Sequence, residues 1–257
     1  MNEALLAWNA AALLIYMTIA FVWAYQRKRL DTVDAAWGGG FVVAAWLVAG
    51  LELEFRTVLI AVLVDLWAIR LTHHLLNRVI SKPKDDERYT EIAQKWNKKY
   101  FWPRAYVSVF LLQGLLILLI SLPVVTAAGT TLDWAPALAV LGTVVWVKGF
   151  VVEAVADKQL RDFMGDKKNK GKVLQTGLWR RSRHPNYLGE VTQWFGIAII
   201  ACGASWGWVG LLGPVGLMLL IRFVSGVPPI EKHKANDAEY RAYMQRTNAI
   251  LPKLGTS

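Results

Sequence analysis

Cysteine is almost missing from this chain: Cys202 is the single one among 257 residues. Because it falls inside an apolar run, an intramolecular disulfide and a thiolate metal site are both excluded. Histidine is scarce too, four in all. His73 and His74 are neighbours and so point about 100° apart on a helix. His184 and His233 lie far from them in sequence, so no metal centre is expected. The N-terminus lacks a basic leader region and a small-residue cleavage site, and its first apolar run is expected to be retained. There is no internal repeat, no low-complexity tract and no pair of half-repeats of the kind that transporters use. The chain reads as one domain over 1–257.

What is present is hydrocarbon: 55% hydrophobic residues and thirteen Trp. That composition predicts an all-α polytopic membrane protein. Seven apolar spans stand at about 4–25, 34–51, 55–80, 104–127, 134–156, 186–203 and 206–224. The net charge of +10 raises the question of nucleic acid. However, segments 27–29, 70–104, 157–185 and 222–257 hold all Lys and Arg except Arg56 and Lys148. With the N-terminus outside, those four segments share one side. The positive-inside rule then predicts about seven transmembrane helices, N-terminus out and C-terminus cytoplasmic. The setting would be a bacterial inner membrane, with the basic face toward the cytoplasm. Membrane lipid accounts for the charge, and no nucleic-acid partner is needed.

Along the chain, Asp31-Thr32-Val33-Asp34 reads as a helix-capping start to span two. Gly38-Gly39-Gly40 within it reads as a packing face, since small residues let helices approach closely in a bilayer. Span three is plain as far as Val64 and then carries Asp65, Trp67, Arg70, His73, His74, Asn77 and Arg78. Arg70, a histidine and Asn77 recur at helical spacing and line one face. That face suits either a solvated exit from the bilayer or a polar cavity. The following loop predicts a surface helix from Glu87 to Lys99. On span five, Glu153, Asp157 and Arg161 make a stripe at four-residue spacing, and Gly165–Lys172 is a flexible basic loop. Gly210, Gly213 and Gly216 give span seven another small-residue face. An amphipathic helix is expected over Glu231–Arg246, after a break at Pro228-Pro229.

The most informative stretch is Gln175–Gln193. Its basic run, Arg180-Arg181-Ser182-Arg183-His184, meets Pro185, which suits the first turn of a helix. Asn186, Tyr187 and Glu190 follow. Cations at the positive end of a helix fit an anionic cofactor, or alternatively lipid headgroups. Asp157 and Glu190 suit hydroxyl or amide donors, whereas Arg161, Lys172, Arg181, Arg183 and Asn186 suit phosphates and carboxamides. Together with the tail between Arg222 and Tyr243, they predict a cofactor pocket in the half about 134–257. The half about 1–127 is left for a lipophilic substrate entering from the bilayer.

Ala156–Arg161, Gln175–Trp179, Asn186–Glu190 and Asn248–Pro252 resemble the steroid 5α-reductase family. Asp34–Trp37, Lys82-Pro83 and Arg88-Tyr89 resemble a bacterial branch of it. The resemblance implies a seven-helix fold, NADPH as cofactor and hydride delivery to a carbon–carbon double bond conjugated to a ketone. It places Asp157, Arg161, Asn186, Glu190 and Arg222 against NADPH. It also exposes a departure: the position of the steroid reductases' catalytic tyrosine is Trp67 here, and indole cannot act as that acid. Asp34, Asp65, His73, His74, Tyr89 and Tyr106 are the replacement candidates, with a residue of span three expected. The same fold class includes isoprenylcysteine carboxyl methyltransferase and phospholipid N-methyltransferases, which use S-adenosylmethionine and share the Arg183–Tyr187 type of turn. A methyltransferase is the alternative reading. The several cations favour NADPH, since the methyl donor is itself cationic at sulfur. Oligomeric state is left open.

Overall fold

The computed structural model describes the backbone over residues 3–81, 87–94 and 96–252, and the side chains there except at 74, 77–81, 87 and 88. Nearly all of it is helix, with no strand among the described residues. The first three helices, α1 (Glu3–Arg27), α2 (Thr32–Leu51) and α3 (Phe55–Ser81), form an antiparallel run. A short α4 (Glu87–Gln94) leads to α5 (Phe101–Ala105), a π-helical stretch at Tyr106–Leu111, α6 (Leu112–Ile120) and α7 (Leu122–Thr126). Next come the long α8 (Ala135–Gly165), α9 (Pro185–Ala201) and α10 (Leu212–Phe223), and the chain closes with α11 (Val227–His233) and α12 (Ala238–Arg246).

Five stretches are long and apolar enough to cross a membrane: Glu3–Arg27, Thr32–Leu51, Lys98–Ile120, Ala135–Gly165 and Gly207–His233. The other two apolar runs fold as helices as well, although α9 has 17 residues and α3 carries Asp65 and Arg70 along its length. Leu14, Ile15 and Ile19 on α1, and Val140, Val144 and Val151 on α8, point outward. An outward belt of large apolar side chains is what contact with lipid requires. The architecture is that of a multi-pass membrane protein.

The tightest joint is between α8 and α9, and glycine makes it. A Cβ on Gly149 would lie 2.7 Å from the Gly189 carbonyl oxygen, and one on Gly196 would lie 2.6 Å from the Gly142 carbonyl oxygen. The two backbones therefore touch where each helix presents two glycines seven positions apart, a small-residue seam of the kind favoured between membrane helices. Composition did not single out these four glycines. Of those it did, Gly38 lies against Thr72 and Ala68 of α3 and Gly213 against Ile120, while an added Cβ on Gly216 meets nothing within 4 Å.

A buried aromatic trio joins α2, α3 and α9. Phe41 stands 5.2 Å from Trp67 and 4.8 Å from Trp194, with the two indoles 5.4 Å apart. Far from the basic segments, buried Arg56 closes that end of the bundle. It donates to the carbonyls of Ala127 (2.8 Å), Gly129 (3.0 Å) and Gly203 (3.3 Å), and to Glu54 Oε2 at 2.9 Å. This explains one of the two basic residues outside the clustered segments.

Three local expectations change. Asp31 does not cap α2 with its side chain; Arg29 holds its carboxylate through bonds of 3.0 and 2.7 Å. The helix expected to reach Lys99 stops at Gln94, and Asn97 then opens a separate 3-10 turn by accepting from the Lys99 amide at 2.9 Å. Pro228 and Pro229 begin α11 rather than break it, since amides in the first turn have no intrahelical acceptor and proline loses no bond there. The tail is consequently two helices, the second capped by Asp237.

The glycine seam gives a direct test. Gly149→Val is expected to lower stability in detergent by about 2 kcal/mol or more, read as a fall in melting temperature. Gly216→Ala, whose new methyl meets nothing within 4 Å, is expected to leave it unchanged or slightly higher.

Candidate functional site

Inside the bundle α3 presents Arg70 to two carboxylates one turn apart on α8. Arg70 Nη1 donates to Asp157 Oδ2 at 2.7 Å, and Nη2 pairs with Glu153 Oε1. From α9, Gln193 Nε2 donates to Glu153 Oε2 at 2.5 Å. Glu153 and Gln193 are buried. Truncating one member of a buried ion pair strands the other, at about 3–5 kcal/mol, so this group fixes three helices relative to one another. Arg161, the third member of the stripe, lies one turn further along α8 and is exposed.

A cavity of about 280 Å³ opens between α2, α3, α6, α9 and α10. Trp37, Leu71 and Leu217 give it apolar walls, and Asp34, Gln113, Tyr187 and Glu190 give it polar ones. Asp34 Oδ1 accepts a hydrogen bond from Tyr89 Oη at 2.6 Å. Glu190 also interacts electrostatically with Glu153, Arg70 and Asp157.

Tyr187 walls a second cavity as well, about 140 Å³ in volume, where the ends of α8 and α9 meet α11 and α12. Lys172, Arg183, His184 and Asn186 line it, with Tyr240 and Tyr243. The imidazole of His184 stacks on the Tyr187 ring, with centroids 5.4 Å apart. Asn186 Oδ1 is buried and has no hydrogen-bond partner among the described residues.

The turn before α9 is latched to the tail. Arg183 donates to Glu231 Oε1 from Nε (2.8 Å) and Nη2 (2.6 Å), and from Nη1 to the carbonyls of Met244 (3.1 Å) and Thr247. The Arg183 and His184 amides donate to Asn248 and Ala249, each at 3.0 Å. Tyr243 Oη donates to the Trp179 carbonyl and, at 3.2 Å, to that of Ser182. Arg183 and Tyr243 are therefore occupied in holding the tail over the second cavity.

The remaining expected site residues scatter. Lys172 is exposed at the cavity mouth, and Arg181 is exposed on the turn. Arg222 is half-buried, stacks over Phe223 at 5.1 Å and borders residues 248–251. Among the catalytic candidates, Asp65 accepts from Trp46 Nε1 at 2.8 Å, and Tyr106 shares a 2.8 Å bond with Thr18 on α1. His73 is exposed. The side chain of His74 lies outside the described residues. Asp34 alone among the described candidates lines the bundle cavity. Glu231, the anchor for Arg183, was not anticipated: its partner is 48 positions away, and no local pattern marks such a pair. A larger groove of about 800 Å³ lies between the N-terminal ends of α3 and α8. Its walls are mainly hydrocarbon and the Arg56 guanidinium there is committed to loop carbonyls and Glu54.

Residues 20–247 match the family described as "Protein of unknown function (DUF1295)". The chain belongs to DUF1295. That family lies within the steroid 5-alpha-reductase-like superfamily. The DUF1295 chain is similar to "Uncharacterized protein C594.04c" of Schizosaccharomyces pombe, 25% identical over 233 residues, covering 79% of this chain and 65% of that protein. It is also similar to "Steroid 5-alpha-reductase DET2" of Gossypium hirsutum, 35% identical over 69 residues, which are 27% of this chain and 25% of that protein. The DUF1295 chain thus matches less than two thirds of either relative's length. No solved structure matches.

His184 provides the pH test of the latch. Burial pulls its imidazole down to about 4, with Arg183 and Lys234 acting in the same direction and Glu231 opposing. The unfolded chain therefore takes up the proton first. Stability is complete above about pH 6.5 and is expected to fall as pH drops toward 4, by on the order of 3 kcal/mol. Thermal unfolding of detergent-purified protein across that range checks this, and His184→Gln should flatten the fall.

Proposed function

We propose that this DUF1295 protein is an integral-membrane, NADPH-dependent reductase that delivers hydride to a conjugated carbon–carbon double bond of a lipophilic substrate. The observation that carries the reading is the pair of cavities meeting at Tyr187, one at the end of the bundle lined by Lys172, His184 and Asn186, and one within it lined by Trp37, Leu71 and Leu217 together with Asp34 and Glu190. A nucleotide cofactor and a lipid-soluble substrate need two such adjoining spaces. Distant similarity to a steroid 5-alpha-reductase points to an oxidoreductase. Following the charge asymmetry, the polar end would face the cytoplasm.

The residues present fit the cofactor. Asn186 Oδ1 is a buried acceptor without a donor, a condition that costs about 1–3 kcal/mol until a ligand supplies one; an amide or amino group would. Exposed Lys172, Arg161 and Arg181 suit phosphates. The enclosed volume, about 140 Å³, takes one ring system, and the phosphates would lie among those cations. Glu190 and Asp157 would stand nearer the reacting end. When bound, NADPH would supply the hydride. The chain's own part is to hold the ring against Tyr187 and to exclude water from the bundle cavity.

One observation favours the second reading, an S-adenosylmethionine-dependent methyltransferase. Asp34 and Glu190 line the bundle cavity with no Lys or Arg among its described lining residues, and such an excess of carboxylate suits a sulfonium.

Calorimetry on detergent-purified protein with NADPH, NADH and S-adenosylmethionine side by side tests this. Micromolar NADPH binding is expected, weaker for NADH. Asn186→Ala should weaken NADPH by about tenfold without lowering apo stability, because the deleted acceptor is buried without a partner in the apo protein. Binding of the methyl donor with no response to NADPH would decide for the second reading.

A further inference from the structure

Two groups of cations far apart in sequence meet at one end of the bundle. Arg27 and Lys28 end α1, while Lys98, Lys99 and Arg104 stand around the start of α5. Aromatic rings join the two elements: Trp102 lies 4.9 Å from Tyr25 and 6.2 Å from Phe21, and Tyr106 lies 4.9 Å from Phe21. All five cations are exposed, and none is paired with a carboxylate among the described residues. Several others at this end are committed, Arg29 to Asp31, Arg70 to Glu153 and Asp157, Lys158 to Asp162 and Arg183 to Glu231. Like charges gathered on two packed helices repel unless an anion is shared between them. Tyr25 and Tyr100 are exposed beside them, the placement that aromatic side chains take at a membrane interface.

The same seam carries a groove at greater depth. Leu13, Leu14 and Met17 of α1 face Leu111, Gly114 and Leu118 across a space of about 160 Å³. Glycine keeps it open, since a Cβ on Gly114 would come within 3.1 Å of Met17 Cγ. Leu14, Val22, Val107 and Leu115 are exposed along the seam, so it faces lipid. From Arg27 to Leu14 the helix rises about 20 Å, about half the thickness of a bilayer with its headgroups. An alkyl chain hung from the cations therefore ends at the groove.

We propose that this seam is a binding site for an anionic phospholipid. Its phosphate is held by Arg27, Lys28, Lys98, Lys99 and Arg104, and the end of one acyl chain is seated between Leu14 and Leu118. A zwitterionic headgroup would bring a cation of its own into the cluster, and a free phosphate would leave the groove unfilled. The site lies on the outer surface of the bundle and does not rest on the reductase reading. Because the lipid bridges α1 and the α5–α6 arm, it stabilises the folded chain.

Lipid-adduct mass spectrometry and thermal unfolding of the full chain in detergent test this. The probes are palmitoyl-oleoyl-phosphatidylglycerol, the phosphatidylcholine with the same chains, dioctanoyl-phosphatidylglycerol and glycerol phosphate. Long-chain phosphatidylglycerol is expected to bind about tenfold more tightly than phosphatidylcholine and to raise the melting temperature, which glycerol phosphate should not do. Arg27→Gln/Lys28→Gln and Lys98→Gln/Arg104→Gln should each weaken it about tenfold. Lys167→Gln/Lys168→Gln removes the same charge from the exposed loop after α8 and should leave binding unchanged. Ala10→Phe puts a ring into the groove that Ala10 lines; it should weaken the long-chain lipid and spare the dioctanoyl one, whose chains stop short. Equal binding of the two long-chain lipids, or an equal loss in the loop variant, overturns the proposal, because the lipid then answers overall charge. Glycerol phosphate binding as tightly as the lipid overturns it as well, and so does unaltered long-chain binding in Ala10→Phe. If the α1 pair does not fold, unaltered binding in Lys98→Gln/Arg104→Gln is the overturning result.

Discussion

One guanidinium joins three helices. Arg70 of α3 reaches two carboxylates of α8, one of which is also held by Gln193 of α9. Such a group is poorly hydrated inside a helical bundle, so its members are tolerable only together. That requirement reaches back into the backbone. Gln193 can meet Glu153 because Gly149 and Gly189 let the two helices touch without intervening side chains. With α3, α8 and α9 fixed in this way, the aromatic trio fills one side of the joint, and the bundle cavity lies alongside it.

The second constraint acts at the entry to α9. The turn ahead of Pro185 is not free to serve a ligand with all its cations, because Arg183 is bound by Glu231 and by the carbonyls of Met244 and Thr247. This latch turns the tail into a roof over the second cavity. It also accounts for the Asn248–Pro252 resemblance in structural terms: Asn248 and Ala249 accept the backbone amides that set the entry to α9. Arg180 and Arg181 stay exposed. A run that reads as a uniform basic patch is thus divided between holding the fold and facing solvent.

Much of this was legible in the chain. Apolar runs mark the helices, and proline marks the starts of α8, α9 and α11. The spacing of Glu153, Asp157 and Arg161 announces a charged face. What spacing could not supply is which charge answers it, since Arg70 lies 87 positions from Asp157 and the contact exists only once α3 packs. The seam of Gly142, Gly149, Gly189 and Gly196 was hidden for a related reason. Each glycine is unremarkable in its own helix, and the seven-residue repeats matter only when two helices are laid side by side. Asp31 was misread because a cap and an ion pair draw on the same carboxylate, and Arg29 sits close enough to take it. Asp34 stood in an ordinary helix start until the fold brought Tyr89 to it, 55 positions away.

The distribution of charge bears on which co-substrate the site could take. A dinucleotide phosphate would want cations around its phosphates and an uncharged surface at its reacting ring. The exposed Arg161, Lys172 and Arg181 lie near one cavity, and the Tyr187 ring forms the wall to the other. A sulfonium would want carboxylate close to the transferred methyl group, and Glu190 and Asp34 border the place where it would be. Glu153 and Asp157 share the Arg70 guanidinium, whereas Asp34 accepts from a neutral phenol and keeps its charge. The Tyr89 bond favours the anionic form of Asp34, so it suits either co-substrate. What separates the two demands is the exposed Arg161, Lys172 and Arg181, cations that a dinucleotide phosphate would use and a sulfonium would not.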